Sequence, residues 1–112
     1  MSLQVALVVL FFAAVLEAAG DALVRSGLHS HAAAVKFIFL ALGAAVLFGY
    51  GVVVNSPPWD FGRLLGVYVV FFFVVAQVIN WAFFHQRPSG AILLGGAFIV
   101  AGGAIISLSS LR

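Results

Sequence analysis

Residues 3–28 read LQVALVVLFFAAVLEAAGDALVRSGL. A helix needs about 20 consecutive apolar residues to cross a hydrocarbon core, and this run is long enough. Its second half nevertheless carries Glu17, Asp21 and Arg25, each four residues from the next. A segment built to avoid water thus holds three ionisable side chains, and any account of the chain has to accommodate them.

The whole chain has the character of that run. Of 112 residues, 65% are hydrophobic and 7% are charged, with a net charge of +2. Soluble domains average about 25% charged residues, and a chain this short has no interior able to hide so much apolar surface. No cysteine is present, so no disulfide framework exists. No basic cluster offers the electrostatic footprint of a nucleic-acid binder. The composition is that of a membrane protein.

Four spans are expected, over 3–28, 35–54, 61–84 and 89–111, within a single transmembrane domain of 1–112. Backbone groups in lipid must be satisfied internally, so runs this long and continuously apolar are read as helix. The shorter alternating segments of a β-barrel are absent. The opening MSLQ lacks a basic region and the apolar run outlasts a signal peptide, so the first span is expected to be retained. The breaks are SGLHSHAA, NSPPWDFG and HQRPSG. Within them Ser30 is a candidate cap for the second helix and Asp60 for the third. Pro57 and Pro58 stop the second helix, and Pro88 is placed at the start of the fourth.

Trp59 and Trp81 lie 22 residues apart, roughly 33 Å of helix, which matches the separation of the two interfacial belts where tryptophan is enriched. Packing of either ring against a neighbour is the plainer alternative. Basic residues near the span ends number three on one side (Arg25, Lys36, Arg87) and two on the other (Arg63, Arg112). Positive charge sets topology, so so small a bias leaves insertion in either direction open.

Residues four apart share a helical face, so Glu17, Asp21 and Arg25 form one polar stripe, with Gly20 and Ala13 near the same side. An ionisable side chain at the bilayer centre costs at least ~2.5–3.5 kcal/mol, so the stripe is expected to face protein or a hydrated cavity. In a structural reading, Asp21 pairs with Arg25 and Glu17 bonds to another helix. In a functional reading, Glu17 alternates between protonated and ionised states and binds a proton or a cation. The functional reading is preferred because intramembrane acids commonly mark proton or substrate routes. Gln77 and Asn80, three apart in the third span, are expected to hydrogen-bond across helices. His29, His31 and His85 are read as solvated loop residues, with no metal site.

The fourth span, AILLGGAFIVAGGAII, repeats a glycine pair after seven residues: Gly95 and Gly96, then Gly102 and Gly103. Seven residues is two turns of a supercoiled seam, and glycine lets helix backbones approach closely. Gly95 and Gly102 are therefore expected to form a dimer seam, packing within the chain's own hairpin being the alternative.

These residues resemble those of the small multidrug resistance transporters, four-helix proteins within the drug/metabolite transporter superfamily. The resemblance covers nearly the whole chain and is strongest in LEAAGDALVRSG (16–27), in FFHQRPSGAILLGG (83–96), and in Gly95 with Gly102. It implies that Glu17 is the membrane-embedded glutamate at which protons and cationic substrate compete. It also implies a dimer held by the fourth helix, commonly with subunits in opposite orientations. Three features depart from the family. Tyr68 stands where a tryptophan commonly faces the glutamate, VVFFF (69–73) replaces a glycine-valine-glycine segment, and Asp21 occupies a usually neutral place.

The expected protein is accordingly an all-α, four-helix, dimeric antiporter of the cell inner membrane. It would export small cationic or amphipathic organic compounds against protons, as a homodimer or with a related small subunit. Glu17, Asp21 and Tyr68 would bind substrate and protons; Arg25, Gln77 and Asn80 would line the cavity or its entrance. No cofactor is expected, and no nucleophile–base pair suggests an enzyme. The alternatives are a subunit of a flippase for a lipid-linked molecule, with Arg25 contacting phosphate, or a non-transporting structural subunit.

Overall fold

The computed structural model describes residues 1–109. Four helices follow in order: α1 Leu3–Leu28, α2 Ala33–Val54, α3 Phe61–Phe84 and α4 Gly90–Ser109. The described residues include no strand. Each helix is long and apolar enough to cross a membrane, giving four candidate spans of a multi-pass membrane protein. Where the expected ends fall on described residues they agree to within two positions. The expected end of the fourth span at 111, and Arg112, lie outside the described residues.

One expected cap is corrected, and the start of the fourth helix moves slightly. Ser30 does not cap α2: its hydroxyl donates to the Ala32 carbonyl (3.5 Å). The helix instead starts at Ala33 without a side-chain cap, in a run of alanines whose high propensity extends it towards the loop. Pro88 lies just outside α4, and Ser89 takes the capping role by accepting the Ile92 N–H (3.2 Å). Asp60 does cap α3, accepting the Arg63 N–H at 3.0 Å. Its carboxylate also pairs with the Arg63 guanidinium at 3.9 Å. That pair is exposed and contributes little. At the far end of α3, His85 adopts the left-handed conformation (φ 57°) and the N–H of Gln86 bonds to the Asn80 carbonyl at 3.2 Å, turning the chain towards α4.

Helix α1 packs against both α2 and α3, and α4 packs against α3. The α1–α2 contact depends on missing side chains. A Cβ on Gly43 would stand 3.1 Å from the Gly20 carbonyl oxygen and 3.1 Å from the Val24 nitrogen, so the two backbones nearly touch. Gly20 faces Leu47 of α2 and so is turned away from the side on which it was expected. Ala13 instead joins Leu10, Ala14, Val54, Leu64, Val67 and Tyr68 in the α1–α3 core. Trp59 also packs on this core, as the plainer reading of that ring had it. Trp81 points outward at 56% exposure, with the Arg87 guanidinium 5.9 Å from its ring.

The bulky 69–73 segment has a clear packing role. Val70 enters the notch at Gly103 and Phe73 the notch at Gly96, while Phe71 and Phe72 pack on the core. One glycine of each α4 pair is therefore consumed inside the chain. Gly95 and Gly102 meet nothing within 4 Å.

The resulting body measures 53 × 33 × 19 Å, too thin to enclose its apolar side chains. Phe48 is 76% exposed and Phe98 72%. In water such a surface would drive aggregation; against lipid tails or another copy it carries no such penalty.

A methyl group added by Gly43→Ala is expected to overpack the α1–α2 contact by about 1–3 kcal/mol. Gly49 faces open space, and Gly49→Ala there is expected to gain up to about 1 kcal/mol of helix propensity. Thermal unfolding in detergent micelles, followed by circular dichroism, should place Gly43→Ala below the wild type and Gly49→Ala at or above it.

Candidate functional site

Helices α1 and α3 run side by side in the same sense, so steps along the polar stripe of α1 are matched by steps along α3. At the first step, the Tyr68 hydroxyl donates to Glu17 Oε1 at 2.8 Å. Glu17 is half-buried. Its other oxygen has no protein partner among the described residues and is not sealed in the interior. A hydroxyl can rotate, donating to a carboxylate or accepting from a protonated acid. One oxygen is thus held by an adaptable neutral partner while the second remains open to a proton or a cation.

The Tyr68 ring is 3% exposed. Tyr50 of α2 lies 5.7 Å from it, centroid to centroid, and Phe72 stacks on it at 6.3 Å with an interplanar angle of 26°. So enclosed, Tyr68 has no ring face free for a ligand, and its hydroxyl is engaged by Glu17. Tyr50 and Phe72 belong to the site, and sequence reasoning assigned neither to it. Tyr50 had left one signal, as the sole hydroxyl-bearing residue of the second span.

Beyond Phe72 the two helices splay apart towards the α1–α2 and α3–α4 connections. The gap holds a groove of about 270 Å³, with Ala18, Ala22 and Ala76 as its small-residue walls and Asp21, Arg25, Asn80 and Gln86 as its polar lining. Asp21 and Arg25 are both exposed. The ion pair expected between them in the structural reading is absent: among the described residues Arg63–Asp60 is the sole pair within 4.0 Å. Arg25 instead holds its guanidinium 5.8 Å from the centre of the Phe84 ring, a favourable cation–π position.

Gln77 and Asn80 do not make the interhelical hydrogen bonds expected of them. Gln77 continues the stripe of Gly66, Val70 and Phe73 that faces α4, and its Oε1 is buried without a partner among the described residues. Asn80 lines the α1–α3 groove, and its backbone carbonyl accepts the N–H of Gln86 at 3.2 Å. Positions three apart differ by about 60° around a helix axis, enough to send these two side chains to different neighbours. His29 Nδ1–H donates to the Arg25 carbonyl at 2.8 Å and closes the end of α1.

Comparison of the chain with protein-family models, with curated proteins and with solved structures finds no match.

The Tyr68–Glu17 hydrogen bond has a direct check. In protein carrying ¹³C-labelled glutamate, Tyr68→Phe should move the Glu17 carboxyl resonance, whereas Tyr50→Phe, which removes a hydroxyl not bonded to Glu17 directly, should move it distinctly less. Equal responses to the two changes would contradict the geometry.

Proposed function

We propose that this chain is a proton-coupled antiporter subunit exporting small cationic or amphipathic organic compounds across the cell inner membrane, in the manner of the small multidrug resistance transporters. The observation carrying this reading is the half-buried Glu17, midway along an apolar helix, with one oxygen on the Tyr68 hydroxyl and the other open. A carboxylate there is costly unless it is used or fully satisfied, and Glu17 is only partly satisfied.

The cycle needs no covalent chemistry. Glu17 releases its proton, binds a cation electrostatically, and gives the cation up when reprotonated from the other side. The Tyr68 hydroxyl accompanies the carboxyl in both states. Asp21, one turn further along α1 and lining the groove, adds negative potential on the path of an approaching cation. Because proton and cation compete for one carboxylate, acid pH opposes cation binding and alkaline pH favours it.

Two copies make a chamber more readily than one thin four-helix body. Gly95 and Gly102 support the outer face of α4 as the dimer seam, because side chains of this chain leave both open while Gly96 and Gly103 are filled. The partner is a second copy or a related small subunit.

Glu17→Gln is expected to abolish proton-coupled uptake into reconstituted vesicles while leaving the dimer intact; undiminished uptake would overturn the reading. Gly95→Leu combined with Gly102→Leu should reduce self-association, measured by energy transfer between labelled copies, by tenfold or more (about 1.4 kcal/mol). The helical content should not change, since neither glycine touches its own chain's side chains.

A further inference from the structure

Asp21 and Arg25 occupy positions i and i+4 with the acid towards the N-terminus, the arrangement that most readily forms an ion pair on a helix. They do not pair: Arg25 turns to Phe84 and Asp21 has no ion-pair partner among the described residues. Two opposite charges, about 6 Å apart in rise, therefore face one groove with their capacity unspent. Asn80 and Gln86 stand beside them.

A second groove of about 430 Å³ opens along the same helix pair, lined by Ala19, Leu23, Ser26 and Phe83. It shares Ala22, Ile79 and Phe84 with the polar groove, so the two flank a single seam, one side polar and the other apolar. The apolar side starts near the helix ends at Ser26 and Phe83 and runs inward to Ala19. An acyl chain in the adjoining leaflet takes the same course, from interface to bilayer centre. Lys36 and Arg87 lie at this end of the chain as well, at the level where lipid phosphates would be met.

We infer that the seam between α1 and α3 binds a zwitterionic amphiphile, with its ammonium at Asp21, its phosphate at Arg25 and its alkyl chain along Ala19, Leu23 and Phe83. A plain organic cation would answer Asp21 and leave Arg25 unanswered, and a plain anion the reverse. A head group carrying ammonium and phosphate on a two-carbon bridge answers both charges, and the apolar groove accounts for a tail. The Phe84 ring, held under Arg25, is the ridge over which head and tail part. This inference concerns equilibrium binding and does not rest on proton exchange at Glu17.

The test is native mass spectrometry of the purified protein in nonionic micelles, with no proton gradient, so that a failure of transport leaves the readout untouched. The probes are phosphatidylethanolamine, phosphatidylglycerol with the same acyl chains, and tail-free glycerophosphoethanolamine. Phosphatidylethanolamine is expected to bind about tenfold more tightly than phosphatidylglycerol, and the tail-free head group should not be retained at the same concentration. Asp21→Asn should erase the preference between the two lipids, Arg25→Gln should weaken both, and Ala22→Leu, which fills the seam, should weaken both without altering the preference. Equal binding of the two lipids by the wild type would overturn the inference, as would a preference that survives Asp21→Asn. Retention of the tail-free head group as strongly as the lipid would overturn it too.

Discussion

Hydrocarbon has no hydrogen bond to offer a carboxyl group, and that constraint organises the α1–α3 half of the molecule. Glu17 takes one bond from Tyr68, and Tyr68 is held rigid between Tyr50 and Phe72. The bond joins α1 to α3, as the structural reading of Glu17 expected, while the second carboxyl oxygen is left open. Below it, Leu10, Ala13, Ala14, Leu64 and Val67 close the α1–α3 contact tightly. Above it, a groove lined by Ala18, Ala22 and Ala76 opens between the two helices. The acid stands at the junction between sealed and open halves of one helix pair.

Glycine distributes the remaining contacts. Gly20 and Gly43 bring α1 and α2 to backbone contact, while Gly96 and Gly103 receive Phe73 and Val70. Val70 and Phe73 of the 69–73 segment thus interlock α3 with α4.

Much of the fold was legible because the bilayer requirement is so restrictive: runs of about 20 apolar residues bounded by proline and polar breaks leave little freedom in where helices begin and end. The ends missed, at Ser30 and Pro88, were decided by one or two residues of local capping. Within the site, the stripe of Glu17, Asp21 and Arg25 followed from periodicity, and Tyr68 was placed opposite Glu17 through the family resemblance rather than through spacing. The partners of Gln77 and Asn80 were misjudged because sequence separation fixes an angle around one helix but says nothing of which neighbour occupies it. Tyr50, Gly43 and the Asp21–Arg25 separation depend on how helices meet, information that a single chain of residues does not hold locally.

The central claim is that the Glu17 carboxyl, though midway through an apolar span, exchanges its proton with water. The direct measurement is infrared difference spectroscopy of the reconstituted protein transferred into deuterated buffer at a pH where Glu17 is protonated, with Glu17→Gln identifying its carbonyl band. The account predicts that the band shifts promptly to its deuterated position. A band that stays unshifted while loop amides exchange would mean a carboxyl sealed from solvent, and would contradict it.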